Sequence, residues 1–148
     1  MSKAATVGVA DVARHILDLA GPMTAMKLQK LVYYAQAWSL VWDERPLFAE
    51  RIEAWANGPV CPDLYERHRG RFQLGSSDIV GDPSRLDSEA MDTIRAVVDF
   101  YGNKSAHWLS QLTHKERPWK EARHGLADGD RGSTPITHAA LAEYYSSL

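Results

Sequence analysis

From Thr24 to Asp43 the chain has no proline or glycine, and its apolar residues do not keep to one face of a helix. Leu28, Leu31, Val32, Ala35, Trp38 and Trp42 trace one helical stripe, while Tyr34, Ala37, Leu40 and Val41 spread apolar cover over the rest of the C-terminal half. A helix with so little polar surface must be enclosed on several sides. The spacing predicts a mainly α (α+β) single domain, residues 1–148, with six or seven helices around a central helix 24–43 and a short extended segment near 48–57.

The other elements follow from periodicity and punctuation. Val9, Val12, Ala13, Ile16, Leu17 and Ala20 form one face of a helix that Gly21-Pro22 stops. Residues 48–55 alternate weakly, Phe48, Ile52 and Ala54 opposing Glu53 and Trp55, and Asn57-Gly58-Pro59 reads as a turn. Pro62 opens a short helix to about His68, since its missing amide proton has no intrahelical partner in a first turn. Residues 70–82 read as an irregular surface segment. Asp87 or Ser88 caps a helix with Ala90, Ile94, Val97 and Tyr101 on one face, and Gly102-Asn103 stops it. Ser105 caps another carrying Trp108, Leu109 and Leu112, and Pro118-Trp119 begins a short helix toward Arg123. Residues 125–133 read as an exposed loop, and Thr137 caps a last helix with Leu141, Tyr144, Tyr145 and Leu148 on one face.

Seventeen Lys and Arg against nineteen Asp and Glu leave a net charge of -2, which offers no general attraction to nucleic acid or anionic membrane. Residues 1–9 do not read as a signal peptide, and no stretch reaches the roughly 20 apolar residues of a membrane span. The lone Cys61 favours a reducing compartment, so the expected location is the cytoplasm.

Candidate chemistry is sparse. His107 and His114 are seven apart and could share a helix face, but one cysteine and no His-Glu-x-x-His run leave the four-ligand zinc patterns unfilled. Asp128-Gly129-Asp130-Arg131-Gly132 departs from a calcium loop where the third ligand and the turn glycine should stand. Cys61 precedes the Pro62 helix and could serve a thiol enzyme, although a single free cysteine is more simply a small buried apolar residue. Lys27 and Lys30 lie on one side of the second helix, and Arg67, His68, Arg69 and Arg71 form a later run. These basic residues are either a solvated face or a site for an acidic protein surface or nucleic acid. No segment stands out as a recognition helix, so DNA binding is a secondary alternative.

The block Met26-Lys27-Leu28-Gln29-Lys30-Leu31-Val32-Tyr33-Tyr34-Ala35-Gln36, then Pro46-Leu47-Phe48, then Ile52-Glu53-Ala54-Trp55-Ala56-Asn57-Gly58-Pro59-Val60, resembles the SocA-like antitoxin domain, also called Panacea. Leu109-Ser110-Gln111-Leu112-Thr113-His114-Lys115-Glu116-Arg117-Pro118-Trp119 and residues 136–145 are similar to the family's C-terminal half. The resemblance covers nearly the whole chain, least in 70–84. It implies a mostly helical domain, without catalytic residue or cofactor, that neutralises a toxin encoded beside it by direct binding. Some members also deliver the toxin to a cytoplasmic protease, and some sit in prophages or mobile elements. Within these motifs Leu28, Leu31, Tyr33 and Trp38 read as core, and Gly58-Pro59 as the turn that aims the Pro62 helix. Tyr34 and Trp55 are the aromatic candidates for toxin contact, with Lys27, Lys30, Arg67, Arg69 and Arg71 as a polar rim.

Overall fold

The computed structural model describes residues 6–148, so part of the stretch 1–9, which does not read as a signal peptide, lies outside the described residues. Helix α1 (Val9–Ala20) is followed by strand β1 (Met23–Thr24) and the long helix α2 (Ala25–Trp42). Strands β2 (Ile52–Trp55) and β3 (Gly58–Val60) form a hairpin, α3 (Pro62–His68) follows, and β4 (Gln73–Leu74) returns to pair with β1. Helices α4 (Ser88–Tyr101), α5 (Ala106–Lys115) and α6 (Arg117–Ala122) lead to strand β5 (Pro135–Ile136) and helix α7 (His138–Ser146).

Helix α2 is the hub: α1, α3, α4, α5, α7 and β3 all pack on it. Leu28, Leu31, Tyr34, Ala35 and Ala37 have no exposed surface, and the unpatterned apolar cover read from the sequence reflects that enclosure. The helix starts are fixed chemically. The Thr24, Asp87, Ser105 and Thr137 side chains each accept a backbone N–H in the first turn of α2, α4, α5 and α7. Among the described residues, no helix is long and apolar enough to cross a membrane.

Two glutamines seven residues apart on α2 act as surrogate backbone. Gln29 Nε2 donates to the Cys61 carbonyl at 3.3 Å and its Oε1 accepts the Cys61 N–H at 2.9 Å. Gln36 Nε2 donates to the Phe48 carbonyl at 2.9 Å, and its Oε1 accepts the Leu47 and Phe48 N–H groups. Each amide satisfies main-chain groups that have left water without entering a ladder.

The extended region differs from expectation in three ways. Phe48 lies outside the strand, held by Gln36. The turn is Ala56-Asn57, because Trp55 pairs with Gly58 and Ala54 with Pro59, so of the expected Asn57-Gly58-Pro59 turn Asn57 stays in place and Gly58 and Pro59 belong to β3. Strand β3 is an edge of the order β3-β2-β5, where a proline costs no ladder bond. Strand β5, unmarked in sequence, pairs Ile52 with Ile136 and Glu53 with Pro135. The 70–82 segment is ordered by β4, with Met23 opposite Leu74, and by a 3-10 turn at Ser76–Asp78.

Candidate functional site

Along β2, Ile52 and Ala54 are buried while Glu53 and Trp55 alternate toward the opposite side. That side forms one wall of a cleft of about 470 Å³. The first turns of α2 (Ala25, Met26, Gln29, Lys30), the hairpin (Glu53, Trp55, Val60), Tyr65 and His68 of α3, and Arg131, Gly132 and Ser133 line it.

The hairpin wall is held from behind. Trp119 Nε1 donates to the Trp55 carbonyl at 2.8 Å, and an Arg123 guanidinium nitrogen to the Ala54 carbonyl at 3.1 Å. The other terminal nitrogen of Arg123 donates to the Ala127 and Asp130 carbonyls, which fixes the loop carrying Arg131. Glu53 uses both carboxylate oxygens, accepting from Arg51 Nε at 2.6 Å and from Trp55 Nε1 at 2.9 Å. The indole N–H of Trp55 is therefore satisfied internally, and the half-buried ring stands edge-on to Tyr65, 5.1 Å between centroids, with its apolar surface toward the cleft.

His68 is buried and neutral. Because Cys61 fixes which end of the Gln29 amide is the nitrogen, Gln29 Nε2 donates to His68 Nε2 at 3.0 Å, and the ring must accept there. Burial pulls its pKa below the ordinary histidine value.

Lys30 is the anomaly. It is 1% exposed and no ion pair holds it among the described residues, yet its ammonium is not a fully enclosed orphan: among the described residues that place belongs to His114 Nε2. Its tip passes over Gly58, where an added Cβ would sit 2.6 Å from Cε and 3.0 Å from Nζ and would force the lysine tip to shift. Gly58 also has φ of 127°, which disfavours any side chain. Burial lowers the Lys30 pKa to about 8, leaving it mostly protonated at neutral pH.

Several expected contact residues fall elsewhere. Tyr34 has no exposed surface: it stacks on Tyr101 at 4.1 Å and donates to Glu116 Oε1 at 2.7 Å, so the expectation of a partner-facing aromatic is corrected to a core residue. Lys27 and Lys30 do not share an exposed side. Lys27 reaches the Gly102 carbonyl at the end of α4, whereas Lys30 is buried beneath the hairpin. Arg67, Arg69 and Arg71 are exposed, but Arg69 pairs with Glu66 and Arg71 with Asp78. Of the expected set the cleft thus gathers Lys30 and Trp55, with Arg67 on the same helix as Tyr65 and His68. His68, read as part of the exposed basic run, is instead buried at the cleft because Gln29 bonds its ring, and Glu53, Tyr65 and Arg131 were not anticipated. The i, i+2 spacing of Glu53 and Trp55 on a strand was their one legible signal.

The enzyme candidates are not assembled. Cys61 is 2% exposed and burial pushes its thiol up to about 11, so it is protonated at neutral pH and a poor nucleophile. His107 bonds to Gln111 at 3.1 Å and His114 stacks on Trp119 at 4.0 Å. Among the described residues, no three His, Cys, Asp or Glu side chains gather as a metal site would require.

A family model described as Antitoxin SocA-like, Panacea domain, matches residues 28–120, which include Gln29, Lys30, Glu53, Trp55, Tyr65 and His68. The chain is also similar to a protein of Caulobacter vibrioides described as Antitoxin SocA. The two are 31% identical over 137 residues, covering 81% of this chain and 72% of the relative. No solved structure matches.

Proposed function

Because this chain belongs to the SocA-like Panacea antitoxin family, we propose that it neutralises a cognate toxin by binding it directly, through the cleft face that carries Trp55. The observation behind this is the state of Trp55. Its polar atom is already bonded to Glu53, its strand is pinned by Trp119 and Arg123, and its ring remains half open beside Met26, which is 42% exposed. A rigid aromatic with a satisfied N–H costs little ordering entropy when a partner covers it, which is the behaviour of interface anchors. Arg67 and Arg131 stand near this face as rim charges, with Arg69 and Arg71 partly neutralised by their acidic partners. Tyr34 has no place in the contact, and Lys27 is committed to α4. Occupation of the toxin surface suffices for silencing, so delivery to a protease is not required by this reading.

The test is co-expression and co-purification with the product of the adjoining reading frame, followed by titration of Trp55→Ala. Removing a central aromatic anchor is expected to weaken binding by about thirtyfold or more. An unchanged dissociation constant, in a variant with an unchanged melting curve, places the interface elsewhere.

A further inference from the structure

We propose that the cleft receives a carboxylate of the toxin, borne beside an apolar residue, and that Lys30 is its receptor. This rests on the direct-binding reading above and adds the chemistry that the cleft selects.

The strongest ground is the isolation of the lysine. A buried ammonium is ordinarily paired, because stripping its water costs several kcal/mol that only a counter-charge offsets. The one acid lining the same cleft among the described residues, Glu53, spends both oxygens on Arg51 and Trp55. His68, on the same cleft, is an uncharged acceptor committed to Gln29, and His114, the histidine whose field reaches Lys30, is a neighbour of ordinarily neutral charge held below its usual pKa by burial. Gly58 leaves the space that the lysine tip occupies, so the side chain is accommodated without being neutralised.

The surroundings favour an anion. Ala25 and Met26 bring the N-terminal turn of the 18-residue helix α2 to the same cleft, and its partial positive charge adds to that of Lys30. Arg131 stands at the cleft with no acidic partner among the described residues. The remaining wall, from Met26, Trp55, Val60 and Tyr65, is apolar and suits a hydrocarbon body rather than a run of phosphates. A volume of about 470 Å³ lies in the range that encloses a small ligand, enough for one inserted acidic side chain or C-terminus with its apolar neighbour.

Lys30→Met tests the idea because it preserves length and removes the charge. The variant is expected to melt at the same or a higher temperature than the parent, since an unpaired buried charge is lost. It is expected to bind the product of the adjoining reading frame about thirtyfold or more weakly, as breaking a buried charge pair does. On the toxin side, one Asp→Asn, Glu→Gln or C-terminal amidation should produce the same loss, with no further loss when combined with Lys30→Met. Full affinity in folded Lys30→Met, alongside lost affinity in Trp55→Ala, overturns the carboxylate receptor and leaves direct binding standing. Full affinity in both variants overturns both. Should Lys30→Met fold poorly, the toxin-side substitutions against the unaltered chain decide, and a scan in which no carboxylate matters refutes the proposal. Lys30-dependent binding of an oligonucleotide in place of the toxin would likewise refute it.

Discussion

Glu116 joins α2 and α7 through a buried knot of phenols. Its Oε1 accepts from Tyr34 and from Tyr145, each at 2.7 Å, and because the Tyr145 proton is spent there, Tyr33 must donate to Tyr145 across 3.0 Å. Burial raises the Glu116 pKa, and the two phenol bonds oppose that rise. Glu116→Ala strands two buried hydroxyls and opens space, and should cost roughly 3–5 kcal/mol in urea unfolding. Glu116→Gln keeps an oxygen acceptor and should cost much less. Histidines give the molecule its acid sensitivity. His15, His68 and His114 are all pulled below their ordinary value of 6.5, chiefly by burial. As pH falls below that value the unfolded chain takes up protons that the folded chain refuses, so stability held above 6.5 drains away through the window beneath it. The urea midpoint should drop between neutral and mildly acidic pH. His68→Gln, which preserves an acceptor for Gln29, should flatten part of that slope. An identical slope in the variant assigns the effect to other groups.

Elements whose determinants are local were legible, and those joined by distant pairings were not. Ser105 and Thr137, and Asp87 of the Asp87-or-Ser88 alternative, announced helix starts because a cap is a three-residue affair, and each accepts the first-turn N–H that its position implied. Strands β1, β4 and β5 are two residues each and exist only through partners far along the chain, so no periodicity could reveal them. The site divides the same way. Trp55 was recognisable as an aromatic on a short strand, whereas the burial of Lys30 depends on the hairpin folding back over α2, and the lysine looked like any solvated rim charge. Gln29 and Gln36 are a further case: polar residues within an enclosed helix that work as ladder substitutes for loops they cannot signal. Gln36→Leu is the clean test, since it lies away from the Trp55 cleft. It leaves the Leu47 and Phe48 N–H groups without their acceptor and should cost about 2–4 kcal/mol, read from the urea midpoint, while toxin affinity at temperatures below melting stays unchanged.

At the scale of the whole molecule, a chain of net charge -2 cannot draw a partner by its overall field, so any steering must be local. Two kinds of positive charge serve the cleft face, and they should act on different rates. Lys30 is almost wholly buried at the cleft, so its charge is little screened by salt and an interaction it makes with a partner exists only after docking. Arg67 and Arg131 are exposed, without acidic partners among the described residues, and project a field that an approaching acidic surface meets before contact. Loss of the exposed pair in Arg67→Ala with Arg131→Ala should therefore slow association several-fold at low ionic strength, with the difference vanishing at high salt and dissociation little altered. Lys30→Met and Trp55→Ala should do the reverse, hastening dissociation at every salt concentration. Stopped-flow association and dissociation with the toxin, run across ionic strength for these variants, separates the two roles. A dissociation rate governed by the exposed arginines would mean that the partner closes over α3 rather than entering the cleft.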